Sequence, residues 1–329
     1  MRTPTTLAAY AAALAVVFGS AVGIGGAVGP TGSAASRPAH GAAGDHGAAG
    51  EHAAGPAREA GGLAASQDGY GLQLLRTPTA AARAGELSFR ITGPDGAPLT
   101  EYVQEHEKDL HLIVVRRDAT GFQHLHPQRA ADGTWTTTLT LPRAGTYKVL
   151  ADFVPAGADA GLTLATDVTV GGPLEVDAPA PAERRTAAAG DYTVTVDGDL
   201  VPGRSSEVRL TVRKDGRPVE DLEPYLGAYG HLVALRDGDL AYLHVHPEGP
   251  EPDGPTGGPA LVFATDVPSS GVYRLFLDFS HDGAVHTAAL SLPAGDVSLP
   301  AGDRAPAPAP QGTAPDAPQH DSTDGHGHG

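Results

Sequence analysis

The sequence predicts an all-β protein: two tandem immunoglobulin-like β-sandwich repeats, with an N-terminal hydrophobic helix and a disordered His-containing linker and tail. Three observations predict it. The middle of the chain is duplicated, "HLIVVRRDATGFQHLHP" (111–127) aligning without a gap with "HLVALRDGDLAYLHVHP" (231–247). Each copy carries seven short runs of strand-forming residues separated by turn residues, the pattern of an immunoglobulin-like sandwich. Each sixth run opens on Gly-x-Tyr (Gly145/Tyr147 and Gly271/Tyr273), the pattern of a tyrosine corner.

The duplication extends on both sides. "ELSFRITGPDGAPL" (86–99) matches "EVRLTVRKDGRPV" (207–219), and "PRAGTYKVLADF" (142–153) matches "PSSGVYRLFLDF" (268–279). The runs of the first copy fall near 70–75, 86–92, 110–117, 121–126, 134–140, 146–154 and 163–170. Those of the second fall near 191–196, 206–213, 230–236, 240–246, 260–266, 271–279 and 284–292. No run keeps a helical period over a useful length. Gly (44) and Pro (29) together exceed a fifth of the 329 residues, which favours short strands and turns. Aromatics are 5%, so Leu and Val must build the cores.

The flanks differ in kind. Residues 7–29 are almost wholly apolar or small, with no charge between Arg2 and Arg37. That length favours an uncleaved anchor over a signal peptide, whose apolar region runs to roughly 15 residues. Ser33-Ala34-Ala35 keeps cleavage open. Either way the body is expected outside the cell: membrane-anchored with an extracellular C-terminal region, or secreted. The segmentation is 1–30 anchor or signal, 31–66 Ala/Gly/His spacer, 67–173 first repeat, 174–190 linker, 191–294 second repeat and 295–329 tail.

Charge and composition narrow the partners. The balance of 22 basic and 39 acidic residues gives −17, which disfavours nucleic acid and anionic membrane surfaces and suits cations. There is no cysteine, and the only methionine is Met1, so thiolate sites and Cu(I)-type soft ligands are lacking. No Gly-x-Ser-x-Gly, HExxH, P-loop or dinucleotide fingerprint occurs, so neither an enzyme nor an organic cofactor is expected.

Histidine carries the chemistry. His124 and His126 follow His111 by 13 and 15 residues, and His244 and His246 follow His231 by the same intervals. In the second copy Asp237-Gly238 suggests a tight two-residue turn, which puts His231 directly across from His244 with His246 on the same face. Three imidazoles so placed can reach one first-row ion, Cu(II) or Zn(II). In an immunoglobulin-like sandwich the connection after the sixth strand joins the same rim. It brings Asp278, His281 and His286 to the second site and Asp152 to the first, the two aspartates as ligands, as groups that hold a ligating ring from behind, or as plain turn-flanking carboxylates. The loop before His111 adds Glu105, His106, Glu107 and Asp109, with His106 by itself read as a solvated loop residue. Two separate sites follow, and the second copy, with its two extra histidines, is expected to be the richer.

The stretches "HEKDLHLIVVRRDATGFQHLHP…DGTW", "AGTYKVLADFVP" and "YLGAYGHLVALRDGDLAYLHVHP" resemble an uncharacterised family of exported bacterial, especially actinobacterial, proteins often labelled heavy-metal-binding or secreted. The resemblance covers about 70–295 and implies an envelope location and a link to metal handling. The reading that follows is a cell-envelope or secreted protein binding divalent metal at the rim of each sandwich, for sequestration or delivery. The alternative is a structural or protein-interaction module with an envelope partner, in which the histidines are hydrogen-bonding groups.

Overall fold

A computed structural model describes residues 60–175, 180–243, 245–248 and 254–297, and all regular structure among them is β. Each repeat is a sandwich of two antiparallel sheets. In the first, one sheet runs in the order Ser66–Gln67, Tyr70–Arg76, Ala84–Thr92, Thr134–Thr140, Gln128–Arg129. The other runs Leu162–Val170, Gly145–Pro155, His111–Arg116, Gln123–Leu125. The second repeat repeats this plan. Thr186–Ala189, Tyr192–Asp197, Arg204–Lys214, Ala260–Val267 and Val245–Pro247 form one sheet, and Tyr242–Leu243, His231–Arg236, Gly271–His281 and Ala284–Ala294 the other. The third, fourth, sixth and seventh predicted runs therefore share a sheet in each copy.

Alternation explains the inner cores. Leu112, Tyr147, Val149 and Phe153 point inward from one sheet of the first repeat and meet Phe89, Ile91 and Trp135 of the other. Leu232, Tyr273, Leu277 and Phe279 meet Val208, Leu210 and Phe263 in the second. The tyrosine corners are present: the Tyr147 hydroxyl donates to the Arg143 carbonyl and the Tyr273 hydroxyl to that of Ser269, both at 2.8 Å. Gly145 has φ +132°, and a Cβ there would lie 2.8 Å from Arg116 Nε, so the residue opening this strand must be glycine.

A third core lies between the repeats. Ile113, Val115, Leu150 and Ala165 pack against Val233, Leu235, Leu240 and Phe276, all buried. The rings of Phe122 and Phe276 stack across this boundary at 4.0 Å and 2°. Lys148 Nζ donates to the Asp239 carbonyl at 2.8 Å. The sheets holding His111–Arg116 and His231–Arg236 are thus covered on both faces, which the uninterrupted runs "LIVV" and "LVAL" satisfy.

Each H-x-H-P sits at a corner. After Gln123–Leu125 the chain leaves its sheet and Gln128–Arg129 pairs with Thr134–Thr140 in the other. In the second repeat Tyr242–Leu243 pairs with His231–Arg236, while Val245–Pro247 crosses to Ala260–Val267. The fourth strand switches sheets at the histidines.

Three expectations are corrected. The hairpin loop is four residues, not two: Leu240 N donates to Arg236 O and Arg236 N to Ala241 O, so Leu235 faces Tyr242. Asp239 stabilises this longer loop by accepting from Ala241 N and the Arg236 guanidinium, while buried Leu240 takes a left-handed φ of 56°. The first copy has the same shifted register, with Ile113 opposite His124 and Leu112 opposite Leu125. The linker ends earlier than expected, because Thr186–Ala189 is a strand of the second sandwich. The end of the spacer is ordered: Gly62 N donates to Thr163 O, and Tyr242 N to Gly61 O. Among the described residues no helix is long and apolar enough to cross a membrane. The expected N-terminal helix, most of the spacer and nearly all of the tail lie outside the described residues.

Phe276→Ala should cost about 3–5 kcal/mol, the usual penalty for emptying a buried phenylalanine site. The deletion falls in the boundary core and leaves both inner cores whole. Calorimetric unfolding should therefore change from one transition to two; a single transition at the wild-type temperature would contradict the packing.

Candidate metal centre

Strand register delivers the side chains. On His111–Arg116 the odd positions 111, 113 and 115 point away from the inner core, towards the second repeat. His124, opposite Ile113, and His126, two residues on, share that face. Asp152 pairs with His111, and Asp278 pairs with His231. The outward faces of the two sheets meet, so the histidines of both repeats come to one cleft of about 400 Å³. Its walls include His106, His111, His124, His231 and His246. One shared site replaces the two separate rims expected from the sequence.

His111 and His124 of the cleft wall and the neighbouring His126 each place one ring nitrogen within 4.8 Å of the others'. His124 Nε2 lies 3.1 Å, and His126 Nε2 3.2 Å, from His111 Nδ1. Two imidazoles bound tetrahedrally at about 2.0–2.1 Å from Zn(II) have nitrogens roughly 3.3 Å apart, so the spacing is already that of a metal-ligand set.

The partners behind the rings fix which nitrogens carry lone pairs. His111 Nε2 is 3.0 Å from the Glu105 carbonyl, which can only accept, so Nε2 bears the proton and Nδ1 the lone pair. His124 Nδ1 is 2.9 Å from Asp278 Oδ2, so Nδ1–H donates to that carboxylate and Nε2 faces the centre. The other Asp278 oxygen accepts from the Thr287 hydroxyl at 2.5 Å. With both rings neutral, His111 and His124 would point two lone pairs at each other across 3.1 Å, an arrangement that calls for a shared proton or a cation.

Protonation is disfavoured here. Burial, opposed in part by the Glu105 carbonyl and reinforced by His124, His231 and His106, holds His111 down at about 4. Burial with the His124 and His111 charges holds His126 at about 3. His231, whose Nε2 donates to the Tyr225 carbonyl at 2.7 Å, is held at about 4, again chiefly by burial. These rings are neutral near pH 7, the form a metal ion binds. Asp152 is pushed up to about 6 by burial, against the lowering effect of the Thr163 and Tyr242 hydroxyls that donate to it at 2.7 and 3.2 Å.

The sequence-derived residues are not all brought together. His111, His124 and His126 assemble, with Asp278 of the other repeat behind His124. His231 and His246 line the same cleft, and His244 lies outside the described residues. Asp152 borders the cleft and accepts from the hydroxyls of Thr163 and Tyr242. His281 and His286 are elsewhere. On Gly271–His281, Asp278 faces the first repeat, so the odd positions 279 and 281 face the inner core. His281 Nδ1 is 2.7 Å from the Tyr192 hydroxyl and its Nε2 3.0 Å from Asp221, while His286 stacks on Phe279 at 5.4 Å. Among the described residues the compact triad lies in the first repeat; His244, the middle histidine of the second, is outside them. His106, read as a solvated loop residue, has its ring 4.9 Å from that of His231. Only the folded packing of one repeat on the other reveals that approach.

A family model described as "Domain of unknown function (DUF8832)" matches the chain twice, over residues 65–171 and 186–295. No curated protein matches it. Among solved structures, the Escherichia coli adhesin FdeC aligns at 13% identity and a TM-score of 0.23, over 70% of this chain and 65% of that one. The D0–D1 domain of intimin aligns at 12% and 0.19, over 67% of this chain and 96% of that one. A putative membrane anchored protein from Corynebacterium diphtheriae aligns at 10% and 0.21, over 70% of this chain and 60% of that one. This chain spans less than two thirds of the FdeC and C. diphtheriae structures. At these TM-scores the likeness bears on neither site nor role.

The lowered histidines set a pH dependence for the metal-free protein. Unfolded, they protonate near 6.5; folded, His111 and His231 do so at about 4 and His126 at about 3. The stability they lend is complete above 6.5 and is lost as pH falls through that window. Asp152 acts the other way between about 6 and 3.8, one carboxyl against three imidazoles. In chelator, the urea midpoint should drop between about pH 7 and about pH 5, and a flat or rising midpoint would contradict the neutral cluster.

Proposed function

The chain belongs to the DUF8832 family through both of its repeats, and on that premise we propose that it is a non-catalytic protein that binds divalent metal, Cu(II) or Zn(II), at the His111/His124/His126 centre. The observation that carries the reading is the convergence of His111 Nδ1, His124 Nε2 and His126 Nε2, the first two 3.1 Å apart with an acceptor behind the other nitrogen of each ring. Imidazole donors without thiolate or thioether suit borderline ions over Cu(I). The net charge of −17 favours cation capture. The apolar stretch at residues 7–29 supports export, with the protein anchored at or released from the cell envelope to sequester or deliver the ion there. A structural role is the better reading for His281, whose two nitrogens engage Tyr192 and Asp221.

Calorimetric titration of the full chain with Zn(II) and with Cu(II) tests this. The His111→Ala/His124→Ala/His126→Ala variant should lose one tight equivalent. Equal affinity and stoichiometry in the two proteins would refute the reading. Asp278→Asn, which removes the charged acceptor behind His124, should weaken that equivalent about 10–100-fold without abolishing it.

A further inference from the structure

We propose that the cleft holds a second divalent ion, bound across the boundary between the repeats by His106 of the first and His231 of the second. The inference rests on the triad reading, because the two ions share one cleft.

The rings of His106 and His231 are 4.9 Å apart. Within the triad, the rings are 4.8 Å apart for His124 and His126, 5.0 Å for His111 and His126, and 5.3 Å for His111 and His124. The inter-repeat pair thus has a ring spacing within the range of the triad's. His231 is also prepared as His111 is: its Nε2 proton goes to the backbone carbonyl of Tyr225, at the position equivalent to Glu105, and its Nδ1 carries the lone pair of the neutral ring. His246, from the strand Val245–Pro247, lines the same cleft.

The turn that bears His106 is built to reach across. Glu105 and Lys108 exchange two backbone hydrogen bonds of 3.0 Å, closing a two-residue turn in which His106 and Glu107 have φ of 50° and 62°. The second repeat has the same turn, Tyr225 to Ala228, with Leu226 and Gly227 at 51° and 72°. The two tips abut, since a Cβ on Gly227 would meet Glu107 Cγ at 3.8 Å. At the position of His106 the second repeat carries Leu226, so only the first repeat offers an imidazole there. His106 thus faces a histidine of the other repeat, as the Tyr225 ring of the second-repeat turn faces His126 at 6.3 Å, and the His106–His231 pair joins residues that neither sandwich could bring together alone.

Native mass spectrometry of the full chain titrated with Zn(II) separates the two sites. His106→Asn replaces an exposed residue with one that tolerates left-handed backbone, so the metal-free melting temperature should be unchanged. That variant should hold one ion fewer than the wild type, and so should the triad triple variant. If the triple variant loses an ion and His106→Asn does not, the second site is overturned and the triad reading stands. If neither loses an ion, both fail. The wild-type chain loaded with Cu(II) gives an answer that depends on no substitution. Two ions in one cleft give a dipole-coupled electron paramagnetic resonance spectrum, and isolated Cu(II) alone would overturn the inference.

Discussion

The burial of one sheet of each sandwich on both its faces is the constraint on which the rest of the structure depends. An ordinary sandwich sheet turns one face to the core and the other to water. Here the outer faces of two such sheets are pressed together, with Ile113, Val115 and Leu150 against Val233, Leu235 and Phe276. Any polar side chain on those outer faces must then find a partner inside the boundary or suffer desolvation. Lys148 reaches the Asp239 carbonyl, Tyr242 reaches Asp152, and His124 reaches Asp278. The histidine cluster is what this boundary becomes at its open end, where the apolar residues stop and a cleft begins. The side chains of His124 and Asp278 retain only 6% and 5% exposure, which lets a carboxylate fix a tautomer instead of merely attracting a charge.

Much of this was written in the sequence. The duplication, the seven runs in each copy and the Gly-x-Tyr corners gave the sandwiches nearly strand for strand, because alternation and turn chemistry are local. The grouping of His111, His124 and His126 was legible for the same reason: a hairpin fixes its own neighbours. The two-residue error in register came from reading Asp237-Gly238 as the whole turn, when Asp239 and Leu240 extend it. Because the slip was even, the histidines stayed on the correct face. His281 failed by parity: it lies three residues beyond Asp278 and so points to the opposite face.

The packing of one repeat on the other was harder to see, yet it left a trace. "LIVV", "LVAL" and "RLFL" do not alternate, and an unbroken apolar strand in an antiparallel sandwich means that its outer face is covered too. Such a run does not say what covers it. No pattern along the chain brings His106 to His231 or Asp278 to His124, since each contact joins residues more than a hundred positions apart and exists only once the boundary has formed.

Duplication placed like residues at like positions in the two repeats, and particular substitutions gave them different partners. Asp152 and Asp278 occupy matching positions, and each accepts a hydroxyl from the threonine paired with it, Thr163 or Thr287. Their remaining oxygens differ in fate. The one on Asp152 takes the hydroxyl of Tyr242 from the other repeat. The residue matching Tyr242 is Phe122, which has no hydroxyl and stacks on Phe276 instead. Asp278 therefore keeps an oxygen for His124, and it is His124 whose outer proton is withdrawn and whose inner nitrogen is turned towards His111 and His126. Among the described residues, the tyrosine-to-phenylalanine difference between the copies thus separates the partners of the two aspartates. Burial pushes the Asp152 carboxyl towards its neutral form against the two hydroxyls that donate to it, whereas a carboxylate that polarises an imidazole needs the proton of that ring within reach, as Asp278 has with His124.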